Sequence, residues 1–283
     1  MTQSAGYVSD FLKQNDRDRY FASLFLGDEL RMHVQALYAF AADIAQVRAR
    51  ISEPAAGEVR LQWWNDLLEG TEHGAAMANP LADALLHTID RFDLPTMPLR
   101  RLIAAHRFDL YDDPMPDMAT FEGYAGETSS ILYQFATLIV NGGNDPGTAE
   151  ASGHMGVAHL LTDQFFALPL TASRGQIVLP WQVFERHGAT QADYFAGAAS
   201  ESILAATANL RAVARDHLDR TRQAIAELSP QIRRVFVHSA NLEPRLAALE
   251  KHAALPFVPP RDDADWRRLA RMMWWSLNWG RKD

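Results

Sequence analysis

The chain has 283 residues, of which 48% are hydrophobic and 22% are charged. This composition is sufficient for a sizeable hydrophobic core and excludes an intrinsically disordered chain. The formal net charge of −8 argues against a general nucleic-acid surface, so no nucleic-acid partner is expected. Cysteine is absent, which excludes disulfides, thiolate metal sites and a cysteine nucleophile.

The chain begins with MTQSAGYVSDFLKQNDRDRY, which lacks the apolar core of a signal peptide and contains acids that transit peptides avoid. The longest apolar run, ILYQFATLIV at 131–140, is far shorter than the roughly 20 residues that span a bilayer. We therefore expect a cytoplasmic location, at most peripheral at the inner face of the cytoplasmic membrane.

Helical patterns occupy most of the chain. Apolar residues recur at three- and four-residue spacing in segments that end at stops such as Gly70 and NGGNDPG at 141–147. These segments are 29–50, 55–69, 80–92, 97–111, 118–140, 148–168, 200–228, 231–252 and 263–279. The one strand-like fragment, GQIVLPW at 175–181, is short and isolated. We predict an all-α protein with a single domain over 1–283.

The segment ALYAFAADIAQVRARISE at 36–53 carries two helical stripes. One is strongly apolar and predicts a buried face. The second consists of Tyr38, Ala42, Ala45 and Ala49, so it is lined by small side chains and carries no charge. This second stripe predicts open space beside the helix.

Widespread catalytic motifs are missing from the sequence: it contains no G-x-S-x-G, no P-loop and no H-E-x-x-H. His154 and His159 are five residues apart, a spacing that does not align two ligands on one helix face. Asp109, Asp112 and Asp113 have a spacing that suits a hard cation. For Asp112 and Asp113 a polar helix end is the simpler interpretation.

Four blocks in order resemble the squalene/phytoene synthases. They are DRYFASLFLGDELRMHVQALYAFAADIAQVR at 18–48, EVRLQWWNDLLEG at 58–70, FEGYAGETSSILYQFATLIVNG at 121–142 and MGVAHLLTDQFFALPLTASRGQIVLP at 155–180. The resemblance extends from about residue 10 to about residue 260. It implies a single-domain isoprenoid synthase fold, with helices around a central cavity.

The resemblance also implies a chemistry. Family enzymes condense two prenyl diphosphates head to head, and aspartate-rich motifs on facing helices hold Mg²⁺ against the departing diphosphate. Laid on the first motif, the metal-binding aspartates fall on Ala45 and Ala49. On the second motif the ligand positions fall on Asp163, Ala167 and Thr171. One acidic residue therefore stands where the resemblance calls for several.

Neighbouring residues do not replace the missing acids. Asp43 lies about 200° around the helix from Ala45, so it points away from the stripe. Pro169 is expected to interrupt the second helix. We accordingly assign no catalytic residue and no metal ligand, with Asp163 a weak candidate, and we expect no cofactor.

Other positions match the family's cavity wall. Tyr38 and Asp109 fall on a tyrosine and an acidic position near the cavity. Trp63 and Trp64 are retained, and packing explains them more simply than stabilisation of a carbocation. Arg48 and Arg50 lie beside the emptied stripe. They are candidates to bind diphosphate without metal, although pairing with acids such as Glu53 or Glu58 is the simpler interpretation.

One branch of the family is particularly similar, the mitochondrial NADH dehydrogenase (complex I) assembly factor. The shared features are an AFxxxxAQV helix, an SE turn, altered aspartate motifs and a block resembling WRRLARMMWWSLNWGRK at 266–282. This resemblance implies a bacterial, non-catalytic relative with NADH dehydrogenase subunits as partners and a lipid or prenyl diphosphate in its cavity. The alternative is an active prenyltransferase that uses Mg²⁺ and an altered diphosphate site. Its candidate residues are Arg17, Arg19, Arg48, Arg174 and Asp163.

The C-terminal segment 263–283 is a predicted basic, tryptophan-rich helix. Such a helix can lie on an anionic membrane surface, or it can close the domain by packing its aromatic face inward. The residues that would contact a membrane or a partner are Trp266, Arg267, Arg271, Trp274, Trp275 and Trp279. Weak peripheral membrane contact is therefore one expectation.

Overall fold

The computed structural model describes residues 2–71 and 78–278. Within these two ranges the chain forms sixteen α-helices and no β-strand, which confirms the predicted all-α class. The first eight helices are α1 (Thr2–Asn15), α2 (Arg17–Ser23), α3 (Asp28–Ala45), α4 (Val47–Arg50), α5 (Pro54–Glu69), α6 (Pro80–Phe92), α7 (Thr96–Ala105) and α8 (Met118–Ala125). The remaining helices are α9 (Ile131–Val140), α10 (Ala149–Ser173), α11 (Trp181–Arg186), α12 (Gln191–Phe195), α13 (Glu201–Ala226), α14 (Pro230–Arg233), α15 (Ser239–Lys251) and α16 (Asp265–Asn278).

Helix ends follow the capping chemistry of the sequence. The Asn79 side-chain oxygen accepts hydrogen bonds from the backbone N–H groups of Leu81 and Ala82 at the start of α6. Gly70 ends α5 with a φ of 81°, a left-handed conformation that glycine adopts at little cost. Thr190 caps α12 through the backbone N–H of Asp193. These ends were therefore predictable from local sequence.

Two expectations about helix continuity were wrong. The segment 29–50 forms two helices, because the chain changes direction at Gln46 between α3 and α4. Pro169 does not interrupt α10, which continues to Ser173. Proline removes one backbone hydrogen bond and favours a kink. Leu168 and Ala172 on either side of it are both buried, and this packing maintains the helix.

Residues 175–181 form an extended connection instead of a strand. The backbone N–H of Met115 donates to the Ile177 carbonyl at 2.8 Å, and the N–H of Trp181 donates to the Met115 carbonyl at 2.8 Å. These two bonds fix the connection that follows α10 against the residues that precede α8.

The long helix α10 is central to the packing. It lies along α13 and contacts α8, α9 and α15. Gly156 brings α10 very close to a π-helical turn at Gly126–Ser130, because a Cβ atom at this position would lie 2.1 Å from Ser130 Oγ. This close approach places the middle of α10 beside the turn, and both then contribute to the wall of one cavity.

The last helix, α16, is attached to the domain along one side. Met272 is fully buried, and Leu269 and Trp275 pack against apolar residues of the core. Arg268 donates to Asp18 Oδ1 of α2 at 2.9 Å. No helix within the described residues is long and apolar enough to cross a bilayer.

Candidate functional site

A cavity of about 380 Å³ lies between α3 and α10. Other parts of its wall come from the end of α1, the start of α2, the π-helical turn and the loops at 106–113 and 174–178. The predicted site residues that line it are Arg19, Ala45, Arg48, Ala49, Asp109, Asp163, Ala167, Thr171 and Arg174. Helices far apart in the chain thus bring both candidate motifs to one space.

The wall contributed by α3 and α4 consists largely of alanine. Ala42, Ala45 and Ala49 line the cavity at helical spacing, together with Ala41. Because an alanine side chain is one methyl group, these four residues leave volume and offer no ligand atom, while Gln46 and Arg48 beside them are polar. Tyr38 of the same stripe is buried, and the centre of its ring lies 5.8 Å from the guanidinium carbon of Arg19. Burial raises the pKa of the Tyr38 hydroxyl.

Asp43 lies on the opposite side of α3, as its helical angle predicts. Its carboxylate accepts from Arg60 at 2.8 and 3.1 Å, from Arg50 at 2.9 Å and from the Trp64 indole N–H at 3.0 Å. Arg50 thus pairs with an acid, as the simpler interpretation expected, but the acid is Asp43 and not Glu53 or Glu58. Trp64 packs edge-on against Phe40 with ring centroids 4.9 Å apart, which fits a packing role.

Asp163 of α10 faces the cavity, but other side chains already bind its carboxylate. Arg245 donates to Oδ1 at 2.5 Å, and His159 Nε2 lies 3.0 Å from Oδ2. Burial opposes ionisation of this carboxyl, yet His159 and Arg245 together hold the pKa of Asp163 well below its ordinary value. Both oxygens of this carboxylate are thus occupied by residues of the protein itself.

Asp109 is one of four aspartates in the cavity lining, with Asp16, Asp113 and Asp163, and it is also bonded internally. The Tyr124 hydroxyl donates to its two oxygens at 2.8 and 2.9 Å, and His106 Nδ1 lies 2.6 Å from Oδ2. Burial and the neighbouring Asp109 charge raise the pKa of Tyr124 well above its ordinary value. Tyr124 therefore stays protonated and acts as a hydrogen-bond donor at this position.

The predicted diphosphate-binding arginines occupy different environments. Arg19 pairs with Asp16 at 2.6 Å, and Arg48 lies 3.5 Å from Asp112. Arg48 therefore pairs with an acid as expected, but with Asp112 in the loop that follows α7 and not with Glu53 or Glu58. Arg174 lines the cavity and forms no ion pair with the described residues. The cavity lining therefore carries both charges: these three arginines and four aspartates, Asp16, Asp109, Asp113 and Asp163.

Arg17 lies outside the cavity. Its guanidinium pairs with Asp265 at 3.3 Å, at the start of α16, and half of its side chain is exposed. It was predicted to share an altered diphosphate site with Arg19. On α2 they point in different directions, so Arg17 joins α2 to α16 instead of lining the cavity.

The predicted C-terminal residues divide between two sides of α16. Arg271 faces inward, pairing with Asp263 at 2.6 Å and donating to Asn241 at 3.0 Å, and Trp275 is partly buried against the core. Trp266, Arg267 and Trp274 point outward. Trp279 lies outside the described residues.

Comparison with known proteins identifies the family. The squalene/phytoene synthase family model matches residues 12–274. This chain belongs to the squalene/phytoene synthase family.

Within this family, the chain is similar to proteins that are not named as synthases. NADH dehydrogenase (ubiquinone) complex I, assembly factor 6 of Rattus norvegicus is 28% identical over 246 residues, which cover 87% of this chain and 73% of that protein. The protein of the same name from Homo sapiens is 27% identical over 246 residues, which again cover 87% of this chain and 73% of that protein.

Solved structures confirm the isoprenoid synthase fold. A dehydrosqualene synthase matches with a TM-score of 0.82 at 17% identity, covering 96% of this chain and 95% of the other. The squalene synthase HpnC from Alicyclobacillus acidocaldarius matches with a TM-score of 0.74 at 21% identity, covering 89% and 94%. At these identities the likeness concerns the fold.

The residues present do not fit the Mg²⁺ cluster that the fold family implies. Mg²⁺ needs carboxylates with free oxygens, together with phosphate and water. Asp163 and Asp109 are bonded to protein donors, and the Thr171 hydroxyl lies 3.2 Å from the Leu168 carbonyl of its own helix. Among the residues that the structure describes, no group of three or more His, Asp or Glu side chains is arranged to hold a metal ion.

Sequence analysis missed a buried polar network beneath the cavity. This Asp18 network consists of Asp18, His159, Asp163, Arg245 and Arg268, with Asp262 at its edge. Arg245 reaches Asp163 at 2.5 Å and Asp18 at 3.9 Å, and Arg268 reaches Asp18 at 2.9 Å and Asp262 at 3.1 Å. Its members are up to 250 residues apart in sequence, so no local spacing could have revealed it.

Proposed function

We propose that this protein is a non-catalytic member of the squalene/phytoene synthase family that acts in the assembly of respiratory NADH dehydrogenase. In this proposal the cavity holds a lipid or an isoprenoid without metal. The protein works in the cytoplasm at the inner face of the cytoplasmic membrane, where subunits of that complex mature.

The bonding of Asp163 is the observation that carries the proposal. A carboxylate that holds Mg²⁺ must present its oxygens to the ion, but those of Asp163 accept from Arg245 and contact His159. A metal ion at this point would have to displace the Arg245 guanidinium and would face its positive charge. The alanines at 45, 49 and 167 supply no replacement ligand.

The relatives support the assembly role. The similar curated proteins are assembly factors of NADH dehydrogenase, and the similarity to them covers 87% of this chain. Alanines at 45, 49 and 167 in the wall of a cavity agree with a protein whose fold serves binding.

The cavity itself supports a ligand with an apolar part and an anionic end. Ala41, Ala42 and Leu132 provide apolar wall, while Arg48 and Arg174 provide positive charge. A volume of about 380 Å³ is within the range of small-molecule sites.

Gene disruption with metabolite analysis tests the proposal. Cells that lack the gene should contain less assembled NADH dehydrogenase, measured by native gel activity, while squalene, hopanoid and carotenoid levels stay unchanged. Complementation with an Ala45→Leu variant, which fills the cavity, should restore assembly less well than complementation with Val59→Leu, which changes an exposed site. Normal assembly with depleted isoprenoids would instead establish a synthase.

A second candidate function rests on the arginines that line the cavity. Arg19, Arg48 and Arg174 line the same space as Asp163, as a prenyltransferase with an altered diphosphate site would require. Incubation of the purified protein with farnesyl or geranylgeranyl diphosphate and Mg²⁺ tests it. Turnover that is lost in Arg174→Gln would favour this second function.

A further inference from the structure

The outward side of α16 is an apolar surface on an otherwise acidic protein. We define the outer face of α16 by residues that recur at three- and four-residue spacing: Trp266, Ala270, Met273, Trp274 and Leu277. The side chains of Trp266, Trp274 and Leu277 are 67%, 68% and 71% exposed. Large apolar groups concentrated on one exposed helix face indicate an interaction site.

This exposure results from the way in which α16 is attached. Met272 is fully buried on the opposite side of the helix, and Arg268 is bound to Asp18 and Asp262. Arg17 pairs with Asp265 at the first turn. Contacts along the inward side thus fix the rotation of the helix, and the two tryptophans are held outward by the fold.

The charge around this face differs from that of the whole chain. Residues 261–283 contain six basic and four acidic residues, a net charge of +2, whereas the whole chain has a net charge of −8. Arg267 is exposed, and its guanidinium lies 5.3 Å from the centre of the Trp266 ring. An anionic surface is therefore attracted to this end of the molecule and repelled by the remainder.

We propose that the outer face of α16 attaches the protein to the surface of an anionic membrane. The inference deepens the location given under the proposed function and rests on it for its biological meaning. Tryptophan rings prefer the interfacial depth of a bilayer, where the ring lies among acyl chains and the indole N–H meets the headgroups. Of the three arginines of α16, Arg267 points outward beside the Trp266 ring and can bind an anionic headgroup, while Arg268 and Arg271 are paired with acids on the inward side. An acidic protein partner at the same face is the alternative, and it predicts no binding to lipid vesicles.

Vesicle co-sedimentation of the full chain tests the inference. We expect binding to phosphatidylcholine vesicles that contain about one third phosphatidylglycerol, and at least about tenfold weaker binding to phosphatidylcholine alone. Binding should fall at about 1 M salt, where the Debye length is about 3 Å. Equal binding to both kinds of vesicle, or none to either, would refute the proposal.

Matched variants locate the contact. Trp266→Ala combined with Trp274→Ala should reduce binding to the anionic vesicles by about tenfold or more, since two interfacial anchors are lost. Val59→Ala combined with Met97→Ala removes exposed apolar groups from α5 and α7 and should leave binding unchanged. Equal loss in both double variants would overturn the assignment to α16. The sedimentation experiment measures membrane binding of the purified protein and does not depend on the assembly of NADH dehydrogenase. A failure of membrane binding can therefore be distinguished from a failure of the proposed assembly role.

Discussion

The cavity and the outer face of α16 differ in whether their side chains have partners within the protein. At the cavity, the carboxylates of Asp163 and Asp109 are bonded to Arg245 and Tyr124. On the outer face of α16, the indoles of Trp266 and Trp274 extend into solvent. The polar groups that resemble a catalytic site are therefore engaged in holding the fold together, whereas the apolar groups of the last helix are available.

The difference teaches that residue type alone does not identify a functional site. An aspartate at a metal-ligand position becomes structural when an arginine from another helix binds it. A tryptophan of α16 is exposed because the opposite side of the helix is the side that packs on the domain, through residues such as Met272 and Arg268. Each side of the comparison can be challenged by substitution.

Loss of Arg245 should have the largest effect on stability. Arg245 is mostly buried, and Arg245→Met leaves Asp163 without its guanidinium partner, while Asp18 keeps Arg268 at 2.9 Å. We expect the free energy of unfolding to fall by about 3 kcal/mol, measured by urea denaturation. Arg220→Met, which breaks an exposed pair with Asp216, should cost less than about 1 kcal/mol. Similar small losses in both variants would show that the Asp18 network is not structural.

His238 lies beside the Asp18 network, with its Nε2 atom 3.9 Å from Asp18 Oδ2, and it predicts a dependence of stability on pH. Burial is the largest cause that lowers the pKa of His238 well below its ordinary value of 6.5, and the neighbouring His159 lowers it further. The charge of Asp163 raises this pKa, whereas the charges of Arg245 and Arg19 lower it. The unfolded state therefore binds a proton at a higher pH than the folded state. The contribution of His238 is complete above about pH 6.5 and is lost as the pH falls towards the folded pKa.

Denaturation at a series of pH values tests this dependence. Between pH 7 and pH 5 the wild-type protein should lose stability with a slope from His238 of at most about 1.4 kcal/mol per pH unit. His238→Gln should make the slope shallower, whereas His252→Gln at an exposed site should leave it unchanged. Burial also lowers the pKa values of His33 and His217, so some slope should remain. An unchanged slope in His238→Gln would contradict the assignment.

Removal of an outward tryptophan should scarcely affect stability. Trp274 is 68% exposed, so Trp274→Ala should change the free energy of unfolding by less than about 0.5 kcal/mol. Met272 is fully buried two residues earlier, and Met272→Ala should cost about 2 kcal/mol or more. Urea denaturation of the two variants measures the contrast. A large loss for Trp274→Ala would mean that the outer face packs on the protein.

Restoring acids to the cavity should give no response to Mg²⁺. In a variant with Ala45→Asp, Ala49→Asp and Ala167→Asp, the carboxylate of Asp163 is still bound by Arg245. We expect Mg²⁺ to change its melting temperature by less than about 1 °C, as in the matched asparagine variant. A rise of several degrees in the aspartate variant alone would show that Asp163 can exchange Arg245 for metal.

Much of the fold was predictable from the sequence, because helix signals are local. The spacing of apolar residues and the caps at Asn79 and Gly70 located several helices. The short helices α2 and α11 were not predicted, since one or two turns carry too little periodicity. The alanine stripe predicted open space beside α3, and Ala42, Ala45 and Ala49 do line the cavity.

Sequence by itself therefore determined the all-helical class, the register of the alanine stripe and the residue types at the candidate ligand positions. These properties depend on residues within one or two helical turns. Tertiary structure alone decided that Arg245, 82 residues from Asp163, occupies its carboxylate, and that packing carries α10 past Pro169. It also decided which tryptophans of α16 face outward. These contacts join helices that are distant in sequence, and the spacing of residues within one helix does not indicate which other helix will pack against it.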